Sequence, residues 1–314
     1  MRSLGASVAR ARRGASLPEL VVALALFGVV GAALLRAFDR QARFHTGIVR
    51  LVETHAQLTV THDVLATELR SLASPDDILR LSDTAIVYRT VTGTAIACAV
   101  SGATVTLAPG MLAGGAVLAR LRTTPQPGDS LWLFDEGPTL SRGDDVWYAV
   151  RVRAAQLVTG GCDGTVFLHP VADAGRPAWR LTVDSVPLLP PGVTSGALVH
   201  VTRLARFALY RSASGETNLG WSDWNAASSA WNVIQPVTGP FLAYNGASPS
   251  ASGVAFGATD SAGARTAIGP AFTPAARIEL ITRAVTSRAI RLDGMPRGPH
   301  ADSLRSAIAL RNRP

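Results

Sequence analysis

Residues 12–35 read RRGASLPELVVALALFGVVGAALL, and the organisation of the whole chain follows from this stretch. From Leu20 to Leu35 no side chain is charged; extended back to Ala15, the run has 21 residues and Glu19 is its only charge. A helix of that run is about 31 Å long, close to the hydrocarbon thickness of a bilayer. Arg2, Arg10, Arg12 and Arg13 precede it without an acid, which keeps residues 1–14 cytosolic and sends the rest across. Arg36, Arg40 and Arg43 follow the run and soften that asymmetry.

Three readings compete for this segment. A general secretory signal places its apolar region before a small-residue cleavage site, whereas Gly14 comes before the apolar run, directly after Arg12-Arg13. A plain anchor has no reason to carry a carboxylate near the start of its span, where an unpaired charge costs a few kcal/mol. The third reading supplies a partner. Cleavage after Gly14 makes Ala15 a new cationic terminus and Glu19 the fifth residue. When such helices bundle, the carboxylate of one subunit can pair with the terminal ammonium of the next in low dielectric.

On these residues, Arg12 to Leu20, the chain resembles the type IV pilin and type II secretion pseudopilin family. The resemblance implies that prepilin peptidase cuts after Gly14 and methylates the Ala15 nitrogen. It also implies that Glu19, Leu20 and Leu24 serve assembly. Ala15 and Pro18 depart from the family's usual Phe or Met and aliphatic residue. Pro18 is tolerable because the first helical turn has no hydrogen bond to lose.

The helix is expected to continue past the span. Phe44, Ile48, Leu51, His55, Leu58, His62, Leu65, Leu69 and Leu72 alternate steps of four and three, a single stripe on one helix face. Ser74-Pro75-Asp76 should end it. Beyond lie short β-like runs split by Gly, Pro, Asp and Ser: Ala85–Thr92, Thr94–Val100, Thr104–Leu107, Ser130–Phe134, Val146–Val152, Thr165–His169, Leu198–Tyr210, Gly253–Phe256, Arg277–Val285 and Ser303–Leu310. Their alternation suits half-buried antiparallel strands, and no βαβ rhythm supports a nucleotide fold. Asn245–Ser252 and Ala258–Ala271 read as loops. The expected class is α+β and pilin-like, one long helix packed on antiparallel sheet with a second small sheet. The expected division is 1–14 leader, 15–36 membrane or filament-core helix, 37–73 amphipathic continuation and 74–314 β-rich periplasmic domain.

The net charge of +8 invites a nucleic-acid reading, yet its distribution opposes one. The leader carries four Arg and no acid, and from Arg277 onward eight Arg face three acids, so the remainder nets −1. Arg305, Arg311 and Arg313 in the tail fit salt-paired strand residues as well as a DNA contact. Cys98 and Cys162 match neither a redox nor a zinc motif. In an exported domain a disulfide is the expected state, closing a loop of 64 residues and contributing roughly 4 kcal/mol; two buried thiols are the alternative. His55 and His62, seven apart, suit packing at a helix–sheet boundary better than a metal.

No catalytic motif is present among HExxH, GxSxG, Walker A or a helix-opening GxGxxG, so no enzyme, cofactor, metal or small-molecule substrate is expected. Asp135-Glu136 and Asp144-Asp145 suit turn acids better than a calcium loop. Trp221, Trp224 and Trp231 fit either a hairpin covering its sheet or a sticky tip loop.

Gly128–Phe134 (GDSLWLF), Asp145-Val146-Trp147, Val201–Arg211, Ile234–Phe241 and Asp302–Arg313 further resemble the J or W type minor members of the family. That resemblance implies a non-catalytic subunit that primes or caps a type IV pilus or a type II secretion pseudopilus. Its partners would be prepilin peptidase, other pilins or pseudopilins and the inner membrane, and its final place the filament tip. The other function class is a membrane-anchored binding or adhesion module, for a surface or DNA, that does not polymerise.

Overall fold

The structure, a computed structural model, describes residues 16–70, 72, 77–139, 141, 143–162, 165–184, 189–266, 276–286, 289–290 and 298–310. Helix α1 spans Leu17–Arg70. It starts there because Ser16 caps it. The Leu20 amide donates to the Ser16 carbonyl (3.1 Å), and the Glu19 carboxylate reaches back to accept from the Ser16 amide (3.2 Å) and hydroxyl (3.3 Å), the glutamate half of a capping box. The expected stop at Ser74-Pro75-Asp76 lies outside the described residues.

The chain divides into two compact units, Met1–Glu53 with Thr286–His300, and Thr54–Val285 with Ala301–Pro314. In the first, Ala289 and Ile290 pack on the helix at Ala42–Arg50, where the Arg50 guanidinium donates to the Ala289 carbonyl (3.2 Å) and Gly47 is buried. The stripe residues Phe44 and Ile48 are exposed here.

The second unit holds the rest of α1 and fourteen strands among the described residues. In chain order these are β1 (Ile78–Ser82), β2 (Ala85–Ser101), β3 (Thr104–Leu107), β4 (Ala119–Leu121), β5 (Ser130–Asp135), β6 (Val146–Thr159) and β7 (Pro177–Val183). Then follow β8 (Leu198–Arg211), β9 (Thr217–Asn225), β10 (Ala230–Trp231), β11 (Gln235–Phe241), β12 (Val254–Thr259), β13 (Arg277–Val285) and β14 (Ala301–Ala309). Eleven strands form one sheet, and β12-β13-β14 form a second of three. Every pairing is antiparallel.

Within the large sheet, pairing closes on itself through β2-β3-β7-β6-β5-β8 and back to β2. This six-stranded ring is a barrel, made possible by the length of β2 and β8. Residues 85–96 of β2 pair with β8 on one edge, while 97–101 pair with β3 on the other. Its interior is filled by Ala95, Ala97, Val105, Leu107, Leu131, Leu133, Val150, Leu181, Val199 and Val201, the inward positions of period-2 strands.

A separate core surrounds the helix. Leu58, Leu65, Leu69 and Leu72 pack with Ile86, Tyr88 and Phe207 of the large sheet and with Val254, Ile278, Leu280 and Ile308 of the small one. Tyr88 and Phe207 stack at 5.7 Å, and the Trp221 indole N–H donates to the Tyr88 hydroxyl (3.2 Å). Each fully buried leucine contributes roughly 1.5–3 kcal/mol.

The expected α+β class needs correction. Of the described residues 44% are strand and 22% helix, so the fold is mostly β, dominated by an eleven-stranded sheet. The sequence reading undercounts strand because β1, β4, β7, β10 and β11 are short, Pro-bearing or irregular in register, while β9 (TNLGWSDWN) is largely polar with a central glycine. One expected strand, Thr165–His169, is a turn instead; the Thr165 hydroxyl donates to the Cys162 carbonyl (3.1 Å), and the segment joins no strand pair among the described residues.

Candidate functional site

The most unusual surface is the start of α1. Every large apolar side chain from Leu17 to Phe38 is exposed, among them Leu20, Leu24 and Phe27, the last at 81%. These side chains point to all sides of the helix, as 100° steps dictate. Exposed patches of this extent mark a membrane or a partner, and the helix is long and apolar enough to cross a membrane. Glu19 is the only acid on its first turns, and its carboxylate accepts from Ser16 as described above. Gly14 and Ala15, the expected cleavage and methylation positions, lie outside the described residues. The Ser16–Glu19 contact was legible as an S-x-x-E signature before an apolar run, but the sequence reading assigned Glu19 an intermolecular role alone.

In the second unit, Cys98 and Cys162 form a disulfide with Cα atoms 5.1 Å apart. It ties β2 to the loop after β6, in a small cluster with Ala108 and Ala178. His62 is buried. Its two ring nitrogens face the Ser306 hydroxyl (2.6 Å) on β14 and the Thr282 hydroxyl (2.9 Å) on β13. Burial pulls its pKa below the ordinary value, opposed by a Leu304 backbone hydrogen bond and the nearby Asp63. His55, two turns earlier, is exposed and sits 3.1 Å from the Asp302 carboxylate. Both histidines therefore latch the helix to the C-terminal sheet. Their partners lie more than 200 positions away, where no local signal points to them.

Two of the four turn acids, Asp135 and Asp144, are engaged locally. Asp135 accepts from the Gly137 amide (2.9 Å), and Asp144 accepts from the Thr139 amide (2.9 Å) and hydroxyl (2.7 Å). The three tryptophans divide. Trp221 faces Tyr88, while Trp224 and Trp231 meet edge-to-face at 5.4 Å across the β9–β10 pair, with the Arg206 guanidinium 4.5 Å from the Trp231 ring centre. They cover the hairpin. Of the tail arginines, Arg305 is exposed on β14; Arg311 and Arg313 lie outside the described residues.

Two features escaped the sequence reading. Phe134, Trp147 and His200 form an aromatic row on the outer barrel face, with ring centres 5.1 and 4.7 Å apart. Desolvation lowers the His200 pKa, against a weaker opposing effect of Asp77. The second is a buried ion cluster. Arg203 donates to both oxygens of Asp129 (2.7 and 3.0 Å), to Asp223 (3.2 Å) and to the Thr124 carbonyl (3.0 Å). Among the described residues, no group of three or more His, Cys, Asp or Glu is placed to hold a metal ion. Comparison with protein-family models, with curated proteins and with solved structures finds no match to this chain.

Proposed function

We propose that this chain is a prepilin-type minor pilin or pseudopilin, a non-catalytic structural subunit that primes or caps a type IV pilus or a type II secretion pseudopilus. The observation that carries the proposal is Glu19: a carboxylate on the first turn of a helix that is otherwise uncharged through Leu35 and whose large apolar side chains over that stretch are exposed on all sides. A lipid bilayer satisfies those apolar side chains while the subunit is alone, and neighbouring helices satisfy them in a filament core. Glu19 has a partner in each state. Alone, it accepts from Ser16 of its own chain. After cleavage behind Gly14, the Ala15 ammonium of a neighbour can take that place, and Leu20 and Leu24 supply lateral packing. The subunit would insert in the inner membrane with its β-rich domain in the periplasm.

Glu19→Ala tests the proposal. Its membrane level should match wild type, while its recovery in sheared or purified filaments should collapse, because an unpaired neighbour ammonium in an apolar core costs several kcal/mol. Undiminished incorporation of Glu19→Ala, or absence of the wild-type chain from filaments, would favour an anchored binding module that does not polymerise.

A further inference from the structure

Arg36, Arg40 and Arg43 follow directly on the apolar run and fall at steps of four and three on an unbroken helix. At 100° per residue they lie within about 60° of one another and rise about 10 Å along the axis. The bilayer's polar layer is roughly 5–8 Å deep on each side, so the stripe spans it. All three are exposed. Arg43 pairs with Asp39 across one turn, with both side chains more than half exposed, and such pairs exchange readily for a better anion. From Arg36 to Arg50 four Arg stand against Asp39 alone. We propose that this stripe binds the phosphate-bearing headgroups of anionic phospholipid in the leaflet where the span ends.

Orientation does not explain these arginines, since they oppose the asymmetry set by the leader. A second copy of the helix does not explain them either, because it would set like charges face to face. A guanidinium matches a phosphate in planar, bidentate geometry, and the exposed Phe44 beside the stripe, with Phe38 on the opposite helix face, suits the same interfacial depth. The inference rests on the membrane-spanning part of the proposed function and not on processing after Gly14.

The full chain, reconstituted in phosphatidylcholine vesicles containing spin-labelled phosphatidylglycerol or spin-labelled phosphatidylcholine, reports the preference of its boundary lipid. At low salt three arginines favour the anionic lipid by up to roughly a hundredfold. The expected result is a clear wild-type preference, weakened by salt and falling at least about tenfold in the triple variant Arg36→Gln, Arg40→Gln, Arg43→Gln, the remainder being set by Arg2, Arg10, Arg12 and Arg13 at the opposite leaflet. An Arg→Lys triple should retain part of it. Equal boundary preference in wild type and Gln variant would overturn the proposal, as would loss of preference on adding millimolar inorganic phosphate at constant ionic strength, the mark of a free-phosphate site. A near-ultraviolet spectrum unchanged between variants confirms that both are folded. A chain that stays uncleaved in membranes containing a prepilin peptidase, yet prefers phosphatidylglycerol once reconstituted, would sink prepilin processing and leave the lipid site standing.

Discussion

Replacing Arg203 by Met should be among the most damaging single changes in the β-rich unit. The Arg203 side chain is 8% exposed and that of Asp129 1%. Removing the guanidinium deletes two hydrogen bonds to Asp129, one to Asp223 and one to the Thr124 carbonyl, and strands a buried carboxylate. Burial opposes the Arg203 charge, yet Asp129 and then Asp223 outweigh it and raise its pKa above the ordinary value. Breaking a buried pair from one side costs about 3–5 kcal/mol, which for a domain of this size lowers Tm by roughly 6–20 °C. Asp129→Asn, which keeps a neutral acceptor and leaves Asp223 in place, should cost less. Arg153→Met is the control: its partner is Asp184, but its side chain is 64% exposed, and such pairs contribute at most about 1 kcal/mol. Urea unfolding of the full chain in detergent, followed by near-ultraviolet circular dichroism, measures all three. A loss below about 1 kcal/mol for Arg203→Met, or an equal loss for Arg153→Met, would refute the reasoning.

The Cys98–Cys162 disulfide should contribute roughly 4 kcal/mol through its 64-residue separation, in the chain-entropy model. The double Cys→Ser variant should show that loss by urea titration, and two thiols titrating in the unreduced, unfolded wild type would disprove the bridge. His62 should make stability fall in acid. Its folded pKa is depressed below the unfolded 6.5, so the unfolded chain binds the proton more readily. Its contribution is complete above about pH 6.5 and is lost as pH falls through the lower folded value. His200 shifts the same way, so His62→Gln should flatten only part of the slope; an identical slope in that variant would count against the buried latch.

Long-range pairing sets the limit of what could be read from the sequence. The helix was legible from Leu17 through Leu69 because its periodicity is local. Strands with clean alternation, such as Thr104–Leu107 and Arg277–Val285, coincide with β3 and β13. Where the reading saw two strands, Ala85–Thr92 and Thr94–Val100, the chain makes one, because the irregularity at Val91/Gly93 shifts the register with β8 without ending it. The barrel was not legible, since closure depends on which edge of β2 meets β8. The same holds for the candidate site. Glu19 and the apolar run announce themselves in seventeen residues, whereas the meetings of Arg203 with Asp129 and of His62 with Thr282 span 74 and 220 positions. The exposure of Phe44 and Ile48 also corrects the picture of one continuous buried stripe, for burial of its large side chains is complete only from Leu58 onward.

The most direct test is the mass and N-terminal sequence of the chain recovered from membranes that contain a prepilin peptidase. The expected mature chain begins at Ala15 and carries a methyl group on that nitrogen, leaving Glu19 as its fifth residue. A chain that still begins at Met1, or one cut elsewhere than after Gly14, would contradict the prepilin assignment.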